Sequence, residues 1–288
     1  MKKAFDLHRF GLLMKWETLT EKKDYIRCTI GLAIALTFLF CIPILNMKMQ
    51  GINSYPLGDR EASFLFQLDQ MSGMARFTIF MSLTIGASFI FNNMQTKQQR
   101  IAYLMMPATN LEKFLARYLH VSIGYMVCVA VALVFADLMQ FIFTKIMLDG
   151  VGGSVIAKMY DDIFTSEDPS TFRFGDMRIL GWYVEAMVIT IFVATNAFWT
   201  FCGTIYRRQA WLFTFCTAFV LWFLLIFINA NVYDFATLIF ANINEDNWKV
   251  YLWIILILMW VVNAALYWGS YKIFSRMQVI NNKWLNIY

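Results

Sequence analysis

The sequence predicts an all-α polytopic membrane protein. It has six transmembrane helices, both termini on the cytoplasmic side, and an amphipathic N-terminal helix lying at the membrane interface. Three observations predict this. Of the 288 residues, 60% are apolar, 18% aromatic and only 15% charged, where a soluble domain carries about a quarter charged residues. The surplus of Phe, Trp, Met and Leu falls in blocks of ~20 residues, the length that crosses a bilayer as a helix. Lys and Arg are concentrated in alternate connections between those blocks.

Six spans follow, at 26–46, 74–94, 115–143, 180–206, 210–231 and 249–274. The third and fourth are long enough to tilt or to extend beyond the hydrocarbon. With both ends on one face, that face holds 16 of the 24 basic and 5 of the 19 acidic residues, a net +11 against −6 for the rest. The basic face is the cytoplasmic one. No polar stretch is long enough for a separate domain of ~100 residues. Residues 1–288 therefore read as a single transmembrane domain, with a cytoplasmic helix over 1–25, a cytoplasmic elbow over 95–117 and a long outside loop over 147–179.

The first 25 residues are charged and amphipathic, without the apolar core and small-residue site of a cleavable signal, so the first apolar run stays as a helix. Phe5, Leu12, Leu13 and Trp16 share one helical side, and Lys2, Lys3, Arg9, Lys15, Lys22 and Lys23 supply positive charge. Trp at that depth suits the headgroup zone, and the side reads as a membrane-interface anchor. Thr18 and Glu21 have the spacing of a capping box and mark where the helix of the first span begins.

The elbow carries the most specific local pattern. In Thr109-Asn110-Leu111-Glu112, the Thr side chain accepts from the third helical amide and the Glu reaches back to the Thr amide. Pro107 precedes it, as suits a chain that has just turned. From that cap Leu111, Phe114, Leu115, Tyr118 and Leu119 form one apolar stripe, with Glu112, Lys113 and Arg117 on the other face. Upstream, Ile101, Leu104 and Met105 repeat the spacing beside Lys97 and Arg100. The segment reads as a short amphipathic helix, a Pro turn, and a capped helix leading into the third span. Spacing alone fits both a helix lying on acidic headgroups and a docking element for a cytoplasmic partner.

The stretch RIAYLMMPATNLEKFLARYL resembles the cytoplasmic loop of bacterial ATP-binding-cassette permeases of the type-2 exporter superfamily. It is especially similar to the small permeases of Bacteroidetes, where a yL.LPAS..EKFL.R pattern recurs. Tyr103, Leu104, Pro107, Ala108, Leu111, Glu112, Lys113, Phe114, Leu115 and Arg117 carry the match. Thr109 stands where Ser is usual and Met106 where Leu is usual. The resemblance implies six helices with both ends inside, and an N-terminal helix that braces the ATPase interface. It also implies a loop between the second and third helices that couples to the ATPase. Pro107, Leu111, Glu112 and Phe114 would form the docking surface, with Tyr103 and Leu104 beside them and Arg100, Lys113 and Arg117 making charge contacts. The implied partners are a separate ATPase subunit that holds ATP and Mg, a second permease in a homo- or heterodimer, and the lipid of the bacterial inner membrane. The outside segment 147–179 departs from the family, whose members commonly have a short loop there.

Few polar side chains enter the spans. Asp137 and Glu185 lie near the outer ends of the third and fourth, within reach of water. Deeper polar groups are uncharged: Asn196 and Thr200 in the fourth span, and Asn263 in the sixth. Asp137, Glu185, Asn196 and Asn263 are candidates for a pathway or for hydrogen bonds between helices. No mid-membrane Lys or Arg supports a voltage sensor or proton relay.

Several chemistries find no residues to carry them. There is no G-x-x-x-x-G-K-[ST] loop, no H-E-x-x-H and no G-x-S-x-G with a His in a span, so this chain is not expected to be an enzyme or to hold its own ATP. Cys28, Cys41, Cys128, Cys202 and Cys216 lie in or beside apolar runs at no metal-ligand spacing and read as small buried hydrophobes. His8 and His120 have no companions at metal spacing, so neither a metal site nor a cofactor is expected, and nothing points to nucleic acid. The acidic pairs at 160–162 and 167–169 read as a solvated outer face. The expected function is the membrane subunit of an ATP-binding-cassette exporter, its aromatic-rich spans suiting an amphipathic or lipid-like cargo. The alternative is a non-transporting scaffold or sensor that binds a partner through 147–179.

Overall fold

The structure, a computed structural model, describes residues 5–94, 96–164, 171–174, 177–206, 209–240 and 248–277. Lys2, Lys3, Arg207, Arg208 and Lys283 and the acidic stretch 167–169 lie outside the described residues. The fold is helical, in the order α1 Leu7–Met49, α2 Leu57–Ser88, α3 Lys97–Leu104, α4 Asn110–Met147, α5 Val155–Phe164, α6 Gly181–Ile205, α7 Ala210–Phe240 and α8 Trp248–Ser275. Six helices, α1, α2, α4, α6, α7 and α8, are long and apolar enough to cross a membrane, and by length and composition this is a multi-pass membrane protein. Between α5 and α6 a short antiparallel hairpin pairs β1, Thr171–Phe174, with β2, Met177–Leu180, in the register Thr171 to Leu180 and Phe174 to Met177.

The expected break at Thr18–Glu21 is absent. α1 continues through it, and the Thr18 hydroxyl donates to the Met14 carbonyl at 2.8 Å, one turn back, where a cap would bond forward. A cap needs extended backbone at the Thr. Here Glu, Lys and Leu are good helix formers and no Gly or Pro interrupts residues 14–30. Pro43 lies inside the same helix, a position tolerated when a membrane leaves the backbone no alternative partner.

α2 starts at Leu57, 17 residues before the expected span at 74. Asp59, Arg60, Glu61 and Asp69 lower the hydropathy of that stretch without weakening its helix propensity. α2 ends in a 3-10 segment, Phe89–Met94, in which Phe91 leaves helical geometry at φ −117 and ψ 27. Within 147–179 the chain forms α5, whose Val155, Ile156 and Met159 belong to the same apolar cluster as Phe64, Leu68 and Met71.

The chain forms two compact units. One contains residues 14–83 and 122–168, the other 1–13, 84–121 and 169–288. In the first, Leu36, Phe40 and Ile44 of α1 and Phe64, Leu68 and Met71 of α2 belong to one buried apolar cluster. Ala33, Ala75, Ala132 and Ala136 are buried among them. Small side chains let helices approach closely, which matters where lipid removes the hydrophobic drive to associate. Gly124 shows the same device, since a Cβ there would stand 2.6 Å from the Tyr25 ring. In the second unit α6 packs along α8, and Phe91, Tyr103, Phe114 and Phe274 form a separate aromatic cluster.

Candidate functional site

The elbow at 95–117 is an ordered pair of capped helices. The Thr109–Glu112 box forms as its spacing predicts: Glu112 Oε2 accepts from the Thr109 amide at 2.8 Å, and Thr109 Oγ1 from the Glu112 amide at 3.3 Å. A second box, unrecognised in the sequence, opens α3. Thr96 Oγ1 accepts from the Gln99 amide at 3.3 Å and Gln99 Oε1 from the Thr96 amide at 3.2 Å. Its signal was legible as Thr-Lys-Gln-Gln, the S/T-x-x-E/Q signature.

Four of the charged side chains face inward and the leucines outward, the reverse of a water-soluble amphipathic helix. Arg100, Glu112, Lys113 and Arg117 are each at most 3% exposed, whereas Leu111, Leu115 and Leu119 are exposed. The inward groups meet backbone that helix ends leave unpaired. Lys113 Nζ donates to the Leu104 carbonyl at 2.7 Å, closing the C-terminus of α3, and Tyr103 Oη donates to the Lys113 carbonyl at 2.8 Å. Arg117 Nε donates to the Ile90 carbonyl, and the Arg117 guanidinium reaches Phe89 O at 3.5 Å, where α2 loosens into its 3-10 segment. Glu112 Oε1 accepts from the Asp6 amide at 2.7 Å and from Arg9 at 2.9 Å, which ties the start of α1 to the elbow.

Aromatic contacts complete the frame. Phe91 and Phe274 stack with centroids 5.1 Å apart, and Phe114 lies 5.9 Å from Phe274. Asn110 Nδ2 reaches the Ser275 carbonyl at 3.5 Å. The elbow thus joins the end of α2, the start of α1 and the end of α8. Of the nine expected docking residues, Pro107 and Leu111 are exposed, Leu104 is half-buried, and Arg100, Tyr103, Glu112, Lys113, Phe114 and Arg117 are buried. The face presented outward also includes Lys97, Gln98, Ile101 and Met105, of which Met105 is 75% exposed.

The remaining expected residues are dispersed. At the start of the chain Leu12 and Trp16 are exposed, Phe5 is half-buried 5.4 Å from Phe10, and Leu13 is buried. Asp137 caps α5: Oδ1 accepts from the Val155 amide at 2.6 Å and Oδ2 from the Ser154 hydroxyl at 2.7 Å. Glu185 is exposed. Asn196 accepts from Tyr118 and Tyr267, and Asn263 is buried in α8. No group of His, Cys, Asp and Glu among the described residues is placed to hold a metal ion.

Beyond the expected residues, the structure adds an ion-pair cluster on α5. Asp162 meets Lys158 at 2.9 Å and Arg76 at 3.2 Å, and accepts from the Ser72 hydroxyl at 2.6 Å. The Lys158 hydrogen bond and then the Ser72 hydroxyl hold the Asp162 carboxyl below its ordinary range, and the hydrogen bond to Asp162 raises Lys158. No protein family, curated protein or solved structure compared with this chain matches it.

Proposed function

We propose that this chain is the membrane subunit of an ATP-binding-cassette exporter. A separate ATPase subunit would bind ATP and Mg and dock on the elbow, and a second permease would complete the pathway. The observation that carries this reading is the elbow itself. Two capped helices are held rigidly against three helix ends, and they present Ile101, Met105, Pro107 and Leu111 outward beside Lys97. A rigid surface tied to α1, α2 and α8 can transmit a push to spanning helices, which a slack loop cannot.

The reading assigns different roles to the resembling residues. Pro107 and Leu111, with Ile101 and Met105, touch the partner. Arg100, Tyr103, Glu112, Lys113, Phe114 and Arg117 hold the elbow in shape. ATP-driven closure of the ATPases would bias the helices between inward-facing and outward-facing states. The elbow and both termini then lie on the cytoplasmic side of a bacterial inner membrane, consistent with the net +11 of that face.

The test replaces exposed residues only. Ile101→Asp with Met105→Asp is expected to abolish co-purification of an ATPase subunit while leaving membrane insertion and melting temperature unchanged. An ATPase that co-purifies equally with this variant and with the natural chain would sink the docking surface.

A further inference from the structure

α6 and α8 run parallel. Tyr183 Oη donates to the Leu252 carbonyl at 3.1 Å near their starts, and Tyr267 Oη donates to Asn196 Oδ1 at 2.9 Å further along. Their seam is small and polar: Thr190, Ala197, Thr200 and Thr204 of α6, and Asn263 and Ser270 of α8, are all buried. Tyr118 of α4 joins it, donating to Asn196 Oδ1 at 3.1 Å and lying 3.1 Å from Tyr267 Oη. One carbonyl oxygen therefore accepts from two phenols, and each phenol oxygen keeps lone pairs that can accept.

Asn263 stands one turn before Tyr267 on the same side of α8. Helical side chains lean toward the N-terminus, which directs the Tyr267 ring toward the turn that carries Asn263. Asn263 is 2% exposed, and neither of its side-chain amide atoms has a hydrogen-bond partner among the described residues. A buried amide in a membrane helix is costly unless something bonds it. It offers two donors and an acceptor one turn from Tyr267, whose phenol oxygen can accept.

We propose that the α6–α8 seam binds one uncharged hydroxyl group between the Asn263 amide and the Tyr118–Asn196–Tyr267 node. The hydroxyl belongs to a water molecule or to a membrane-borne alcohol. A hydroxyl accepts from the Asn263 NH₂ and donates to a phenol oxygen, matching the groups present. Neither the node nor Asn263 carries an ionised group to hold a charged ligand; Asn196 and Asn263 are buried and Tyr118 and Tyr267 half-buried, which limits the bonded group to a small polar one. The proposal stands independently of the exporter reading.

The test uses the full purified chain in detergent, comparing melting temperatures of the natural protein, Asn263→Leu, Tyr267→Phe and the double variant. Leu keeps the forked, four-heavy-atom outline of Asn and has no polar atoms. An occupied site predicts that Asn263→Leu lowers the melting temperature by about 2–6 °C, and that the double variant loses less than the sum of the singles. An empty site predicts the opposite sign, because removing an unbonded buried amide stabilises. A rise or no change in Asn263→Leu, or additive effects in the double variant, overturns the proposal. If Asn263→Leu yields no folded protein, Asn263→Ala enters the same cycle and its additivity decides. Adding 1-dodecanol, with dodecane as control, separates the sources. A rise with dodecanol alone that Asn263→Leu abolishes assigns a membrane-borne alcohol, and no rise alongside a non-additive cycle assigns water.

Discussion

The Lys113 ammonium donates to the carbonyl of Leu104 at 2.7 Å, so the cation that begins α4 closes the end of α3. The Tyr103 phenol returns from α3 to the Lys113 carbonyl at 2.8 Å. Lys113→Met keeps the stem and removes the donor. It is expected to cost about 1.5–3 kcal/mol, the range for a hydrogen bond to a charged group. Limited trypsin digestion reads this as faster cutting after the exposed Lys97; an unchanged rate would show that the contact does not hold α3.

Glu112 accepts from the amides of Thr109 and Asp6 and from the Arg9 guanidinium, and its side chain is wholly buried. Glu112→Ala removes the shared acceptor of all three bonds, an expected loss of about 2–4 kcal/mol. Hydrogen exchange at residues 7–13 should rise with it. Arg9→Ala should cost less, about 0.5–1 kcal/mol, because that side chain is 32% exposed and screened by water. Equal losses in the two variants would contradict Glu112 as the common anchor.

The Asp162–Lys158 pair predicts a stability plateau with two edges. Asp162 is lowered on folding, so its contribution is complete above the unfolded value of ~3.9 and disappears as pH falls through the folded value. Lys158 is raised, so its contribution is complete below ~10.4 and disappears as pH rises through the folded value. Melting curves of the natural chain and Asp162→Asn between pH 3 and 6 test the acid edge. The natural chain should lose the more stability as pH falls, and parallel curves would remove Asp162 from the account.

Gly203 lies where a Cβ would stand 2.6 Å from the Ser88 carbonyl oxygen. That neighbour is backbone and cannot rotate away. Gly203→Ala should cost about 1–3 kcal/mol through overpacking. Gly152→Ala is the control, because its Cβ would meet only the flexible end of Lys145 at 2.9 Å. Chemical denaturation should separate the two variants, and equal midpoints would show that α6 shifts at no cost.

Helix number and the Thr109–Glu112 cap were legible because both rest on local signals. Apolar length announces a spanning helix, and Thr109-x-x-Glu112 announces a cap whose partners are three residues apart. The Thr18–Glu21 box had the same signature and formed nothing. Its backbone was already satisfied within a continuous helix, so the hydroxyl turned to the preceding carbonyl. A capping signature reports an end only where another feature, such as Pro107, stops the chain from continuing.

The sequence by itself determined six apolar helices, the uneven charge, and an ordered elbow between the second and third spans. Composition and short-range spacing suffice for these because each depends on residues within a few turns of one another. Only the tertiary structure decided which way the elbow's charges point. Their partners, at Phe89 and Ile90, at Asp6 and Arg9, and at Leu104, become neighbours only after folding. It also decided that Asp137 caps α5 and that Tyr118, Asn196 and Tyr267 meet. Helical periodicity sorts residues into faces, but what each face meets is set by packing across residues far apart in the chain.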